Sequence, residues 1–399
     1  MTGENSTAIF GARIFDGETW HDGKTLLVAD GKFAAIADDT DVAPDIDRID
    51  ATGLRIVPGF IDLQVNGGGG VLFNDQPDVD GIRRICAAHA AYGTTALLST
   101  LITDTPEITQ RALQAGRAAL AERVPGFLGL HMEGPHLSVA RKGAHDPRLI
   151  RPMDEGDLLG LIEARASLPT LMVTVAPENV STDQVLRLVA EGIVVSLGHS
   201  DTDCGTAKRY ADAGASVVTH LFNAMSPLTH REPGMVGAAL TSPYLSAGLI
   251  ADGFHVDPAA ISIALKAKAA PGRIFLVTDA MSTIGTNIHE FTLNGRTILR
   301  QGGRLTLADG TLAGADIDML SSVRFLVEQV GVPLEEALRM ASLYPAQVAG
   351  VADRKGKIAA GFDADFLVLD HDHLSIRQTW IGGRLHVANE NAATHTTGG

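Results

Sequence analysis

In GFLGLHMEGPHLSVARKGAH, residues 126–145, a short apolar run ends abruptly in His131, Glu133 and His136, followed by a Gly-rich basic turn. An ionisable carboxylate at the mouth of a buried strand is costly without a partner. A metal ion is a partner that keeps the carboxylate charged and makes it useful, and a structural ion pair is the competing use of the same Glu. Further apolar runs also end in polar side chains: Gln64 and Asn66, His199, His220 and Asp279. Glu133, His199 and His220 together offer one carboxylate oxygen and two imidazole nitrogens, the donor count of a catalytic zinc centre with a position left open for water. Such a water acquires a pKa near neutrality and becomes a nucleophile without strong base. Asp279 beside it is the candidate general base, returning the proton to the leaving group; capping the segment that follows, DAMSTIG, is its structural alternative.

These residues are scattered over more than two hundred positions, so only a particular architecture brings them together. From Val57 to about Gly350, eight strand-length apolar runs begin near Ile56, Thr94, Phe127, Thr170, Ile193, Ser216, Leu245 and Arg273. Amphipathic stretches such as VDGIRRICAAHAAYG, EITQRALQAGRAALAER and TDQVLRLVAEG fill most of the gaps. Eight β-then-α units predict an α/β fold, a closed (β/α)8 TIM-like barrel with functional groups at the C-terminal strand ends. No G-x-G-x-x-G follows an early strand, which disfavours a doubly wound dinucleotide fold. Residues 7–57 read as short strands with hairpin turns, too few to close on themselves, and the segment from Lys355 has the same character. The division expected is a discontinuous β-sandwich of residues 1–56 plus 355–399, around a barrel of residues 57–354.

Two stretches depart from the alternation. HLFNAMSPLTHREPGMVGAALTS, between the sixth and seventh runs, is read as a long loop too polar and irregular to be core. NIHEFTLNGRTILRQGGRLTLADG, after the eighth, alternates like a β-hairpin insertion. The GGGG run after Asn66 lacks the Lys-Ser/Thr that ends a phosphate-cradling loop, so it is read as a close passage past the site.

A chain of 399 residues has length for a large core and a smaller partner. Its formal charge of -15 disfavours nucleic-acid binding and leaves any phosphate to a few local cations. Cys86 and Cys204 are far apart, which argues against a disulfide framework and for a reducing compartment. With no signal-like or membrane-length apolar run, a cytoplasmic protein with no membrane partner is expected. The tail ENAATHTTGG reads as frayed.

The signatures PGFIDLQVNGGGG, LHMEGPH, KGAH, SLGHSD, THLFNAMSPLTHREPG, ADGFHV and LVTDAMSTIG resemble those of the N-acetylglucosamine-6-phosphate deacetylases, within the amidohydrolase superfamily, and GFDADFLVLD resembles the superfamily's returning sandwich segment. The resemblance implies hydrolysis of the acetamide of N-acetylglucosamine 6-phosphate to glucosamine 6-phosphate and acetate. By it, Glu133, His199 and His220 hold the metal and Asp279 is the acid/base. His145 of KGAH contacts the substrate near its carbonyl, where a donor helps an oxyanion. Asn223 and Ala224 reach the sugar phosphate, and Arg231 and His255 bind the phosphate, with Arg231 crossing a homodimer interface. Where the superfamily often has His-x-His on the first strand, this chain has Gln64-x-Asn66. Amides compete poorly with water for zinc, so one divalent ion per subunit is expected, Zn2+ first, with Fe2+ or Co2+ as alternatives, and Gln64 and Asn66 as remnants of a second site. N-acetylgalactosamine 6-phosphate is the alternative substrate, since the epimers differ at one hydroxyl. A cyclic-amide hydrolase is disfavoured because no Lys ends the fourth run, and a non-catalytic sugar-phosphate sensor because Asp279 and the ligand set are all present.

Overall fold

The computed structural model describes residues 6–389; the reading of the polar tail, and residues 1–5, lie outside the described residues. Eight parallel strands stand side by side in chain order, as a (β/α)8 barrel requires: β1 Phe60–Val65, β2 Thr94–Ile102, β3 Phe127–Glu133, β4 Leu171–Val175, β5 Val194–Leu197, β6 Val217–Val218, β7 Ser246–Leu249 and β8 Ile274–Leu276. The chain past β8 meets β1 through the Asp279 N–H to Gln64 carbonyl bond and the Asn66 N–H to Ala280 carbonyl bond, each 2.9 Å. Every residue of β1 to β4 is buried. These strands therefore read as unbroken apolar runs, with helices covering one face and side chains filling the other.

Six of the strand-to-helix connections end in a capping side chain. Asp78, Thr105, Asp154, Ser181, Asp203 and Asp257 each accept a first-turn backbone N–H of the helices starting at Val79, Pro106, Glu155, Thr182, Cys204 and Pro258. Each cap contributes about 1 kcal/mol and fixes where its loop stops, so the strand-end side chains are held from both sides.

The chain ends interleave in a six-stranded sheet, where Leu54–Pro58 lies between Arg13–Phe15, parallel, and Phe366–Asp370, antiparallel. A four-stranded sheet from the N-terminal segment packs on it through Ile14, Leu26, Phe33, Ile56 and Phe366. Trp380 stacks on Phe366 with ring centroids 5.3 Å apart. The first apolar run, which the sequence pattern joins from 56 to 66, is thus split between two sheets at Gly59. A Cβ there would stand 2.1 Å from Thr95 Oγ1, so only glycine lets the chain cross beneath β2.

A second difference concerns the stretch after His220, expected to be loop and not core. Its second half is a helix, Gly234–Thr241, in which Gly234 through Leu240 are all buried. GMVGAAL is apolar on every side, as a fully enclosed helix requires; the charged, proline-containing THREP before it concealed the pattern. The expected insertion is present as a four-stranded antiparallel sheet, β9 Glu290–Leu293, β10 Arg296–Gln301, β11 Arg304–Thr306 and β12 Leu312–Ala315, joined to the barrel by the bridge between Ala280 and Ala315. Cys86 and Cys204 are free thiols. Among the described residues no helix is long and apolar enough to cross a membrane.

Candidate active site

Glu133, the last residue of β3, is 2 % exposed at the C-terminal mouth of the barrel. Its Oε1 lies 3.1 Å from His199 Nε2 and 3.3 Å from His220 Nε2, and the two nitrogens are 3.0 Å apart. Tetrahedral ligands at about 2.0–2.1 Å from zinc are spaced by about 3.3 Å, so this triangle has the dimensions of one face of such a centre. The hydrogen-bond partners fix which nitrogen is available. His199 Nδ1 donates to the Arg141 carbonyl at 2.9 Å, which leaves the Nε2 lone pair facing Glu133 and His220. With that lone pair set against the Glu133 carboxylate and the second imidazole, the trio calls for a proton or a cation between its atoms.

His145 joins the same cluster: one ligand atom from each of Glu133, His145 and His199 lies within 4.8 Å of the others. Its ring meets His199 edge-on at 4.4 Å between centroids. Nδ1 of His145 accepts the Thr103 backbone N–H at 3.3 Å and contacts Thr103 Oγ1 at 2.8 Å. Burial pushes this imidazole down to about 3, so it is neutral, and with Nδ1 an acceptor its proton sits on Nε2. That makes His145 a hydrogen-bond donor to whatever occupies the site.

Asp279 follows β8. Its Oδ1 accepts from Asn66 Nδ2 at 2.7 Å and Gln64 Nε2 at 3.2 Å, and Gln64 Nε2 also donates to Glu133 Oε1 at 3.1 Å. Both amides therefore point their donors at carboxylates. Burial, together with the Glu133 charge, raises the Asp279 carboxyl to about 6 against the opposing pull of His220 and Asn66. Burial works the same way on Glu133, but the adjoining His199 and His220 imidazoles outweigh it and hold that carboxyl well below the ordinary range. Two carboxylates that share the Gln64 amide are thus pushed in opposite directions, the separation expected of a permanently charged ligand and a proton carrier.

The backbone here is unusual as well. His199, His220, Ala224 and Asp279 have φ of 46, 28, 48 and 51°, left-handed values that non-glycine residues adopt at a cost of order 1–3 kcal/mol each. The cost is met where strand ends turn side chains inward.

These residues line a cavity of ≈ 390 Å³ that also presents Asn223, Ala224 and His255. His255 Nδ1 bonds Asp252 Oδ2 at 2.6 Å. Arg231 is exposed and does not line the cavity. In the basic turn before His145, Lys142 does not line the cavity and Arg141 does, its Nε donating to Asp201 Oδ1 at 2.7 Å. The Gly-rich run after Asn66 passes beside the site, Gly67 N–H donating to the Ala280 carbonyl at 3.1 Å. Sequence reasoning missed Thr103, which sets the His145 tautomer, and the Arg141 carbonyl, which sets that of His199. Thr103 is a polar strand end like the others and was open to the same search; a backbone carbonyl carries no sequence signal.

The amidohydrolase family model matches residues 55–386. An N-acetylgalactosamine-6-phosphate deacetylase of Shewanella sp. (strain ANA-3) is 43 % identical over 341 residues, 86 % of this chain and 85 % of that one. An N-acetylglucosamine-6-phosphate deacetylase of Homo sapiens is 39 % identical over 351 residues, 85 % of each. The crystal structure of N-acetylglucosamine-6-phosphate deacetylase from Pasteurella multocida superposes with a TM-score of 0.92 at 36 % identity, covering 96 % of this chain and 100 % of that one. With the barrel, the buried Glu–His cluster and a family match spanning most of its length, this chain belongs to the amidohydrolase family.

Proposed function

We propose that the protein hydrolyses the acetamide of N-acetylglucosamine 6-phosphate, giving glucosamine 6-phosphate and acetate. The observation that carries this reading is the triangle of Glu133 Oε1, His199 Nε2 and His220 Nε2 beside a carboxyl, Asp279, whose proton affinity lies near neutrality. These three atoms are the proposed ligands of one divalent ion, Zn2+ with Fe2+ or Co2+ as alternatives, since the same donors accept all three. When bound, such an ion lowers the pKa of a coordinated water and polarises a carbonyl.

The chain's own residues do the rest. Asp279, held by Asn66 and Gln64 through Oδ1, takes the proton of the attacking water and passes it to the amide nitrogen, so that the amine leaves. His145 Nε2–H donates to the oxygen on which negative charge develops, its orientation fixed by Thr103. Asn223 and Ala224 face the sugar phosphate and His255, braced by Asp252, its phosphate. Arg231, exposed in the single chain, is assigned to the neighbouring active site of a homodimer, where a guanidinium can bond two phosphate oxygens. Gln64 and Asn66 bind no second ion in this reading, because amide oxygens compete poorly with water for such an ion. The proposed division is a sandwich of residues 1–56 plus 355–399 around a barrel of 57–354, with Val57 and Pro58 still paired in the sandwich sheet, and the proposed location is the cytoplasm.

A second reading, N-acetylgalactosamine 6-phosphate as preferred substrate, is favoured by the name of the Shewanella relative. Acetate release from both sugar phosphates, measured with metal content on the same preparation, decides between them. Faster turnover of the gluco epimer supports the first reading, faster turnover of the galacto epimer the second, and turnover of neither removes both.

A further inference from the structure

The cavity has two unlike walls. One part of the lining is Asn223, Ala224 and His255; another is Ile102, Met281, Leu293 and Ala313, and Glu133, His145 and Asp279 line the same cavity. The apolar wall belongs to a small buried cluster in which Leu72 and Ile102 of the barrel side meet Leu293, Ile298, Leu305 and Ala313 of the inserted sheet β9–β12. Met281 follows Asp279 by two residues, and Ala144 of the same cluster precedes His145. The insertion thus supplies much of the apolar lining of the cavity that holds Asp279 and His145. The wall also has no slack: a Cβ on Gly314 would stand 2.5 Å from Met281 Cγ and Sδ, and Met281 and Leu293 are each 2 % exposed.

An N-acyl amino-sugar phosphate carries polar groups on one side of its amide and a hydrocarbon on the other. We infer that the inserted sheet forms the acyl pocket, with Leu293 and Met281 as the residues that set how long an acyl chain the enzyme accepts. The inference rests on the deacetylase reading above. Buried apolar side chains with no spare volume welcome a methyl group and exclude longer chains, because each added methylene needs space that only displaced side chains can give.

The test compares kcat/KM for the N-acetyl, N-propionyl and N-butyryl forms of glucosamine 6-phosphate, read as amine release, in the metal-loaded wild type and in Leu293→Ala and Met281→Ala. The wild type is expected to prefer acetyl over propionyl by about 10- to 200-fold, the range for one methylene in a pocket. Either variant should raise the propionyl-to-acetyl ratio at least about tenfold, whereas Asn223→Ala should weaken all three substrates in parallel. Leu293→Val, a smaller truncation, serves if an alanine variant fails to fold, and should shift the ratio in the same direction. Unchanged ratios in folded Leu293 and Met281 variants of an enzyme that does release acetate overturn the acyl pocket and leave the deacetylase reading standing. A wild type releasing no acetate from either hexosamine epimer overturns that reading first.

Discussion

His131 and Glu133 are two residues apart on β3, both buried and both facing the barrel interior, yet their surroundings differ in kind. His131 Nδ1 donates to the Leu63 carbonyl at 2.9 Å, and Nε2 meets Thr174 Oγ1 at 2.7 Å. Thr174, Thr219 and Ser196 continue the chain at 2.7 and 2.6 Å. With Nδ1 a donor, Nε2 must accept, so the hydroxyls line up as successive donors and the layer closes on itself. One layer above, the Nε2 atoms of His199 and His220 converge on Glu133 Oε1, while His220 Nδ1 and Asn66 Oδ1 have no partner. The lower layer is complete as protein alone; the upper leaves polar atoms unpaired and three ligand atoms crowded within 3.3 Å of one another. Buried histidine is therefore no signature of a site by itself: closure of its hydrogen bonds separates scaffold from chemistry.

The comparison can be broken most severely at Glu133. Glu133→Ala is expected to lose stoichiometric metal, and turnover with it down to background, while the protein stays folded. Full metal occupancy by elemental analysis would remove Glu133 from the ligand set. Asp279→Asn should lower kcat by about 10²- to 10⁴-fold, the usual contribution of a positioned acid/base, with metal content unchanged. Loss of metal in that variant would make Asp279 a ligand and not a proton carrier. In the lower layer the expectation reverses. Thr174→Val leaves His131 Nε2 without its donor and should cost about 1–3 kcal/mol of stability, seen in denaturant unfolding, while metal content per folded molecule stays at that of wild type. A variant of wild-type stability with impaired metal binding would erase the distinction between the layers.

The last prediction concerns Asp62, at the closure of the barrel. Burial raises its carboxyl to about 7, against hydrogen bonds from Thr278 and the Gln64 N–H; Thr278 Oγ1 donates to Oδ2 at 2.5 Å. With a folded value above the unfolded one near 3.9, the native state binds the extra proton. Its contribution is then complete below about pH 4 and is lost as pH rises to about 7. Asp62→Asn keeps the Oδ1 acceptor and removes the titration, so the stability of the variant relative to wild type should grow between pH 5 and pH 8. A pH-independent difference between the two proteins would show that Asp62 stays ionised.

The eight strands were legible because parallel strands buried on both faces are continuous apolar runs, and their polar last residues announced Glu133, His199, His220 and Asp279. The helix Gly234–Thr241 was not, because a short all-apolar segment after a charged loop has no amphipathic period to detect. The sheet switch at Gly59 was hidden for a related reason: one uninterrupted hydrophobic run can feed two sheets, and only the contact with Thr95 marks the break.

Sequence alone determined the residue types available for chemistry and the alternation that would deliver them to one end of a barrel, since both follow from local pattern. It also set the substitution of Gln64 and Asn66 for histidines. Tertiary structure alone decided the protonated nitrogens of His145 and His199, the opposite shifts of Glu133 and Asp279, and the apolar wall contributed by the insertion. Each depends on distances of about 3 Å between groups far apart in the chain, and no local pattern encodes those.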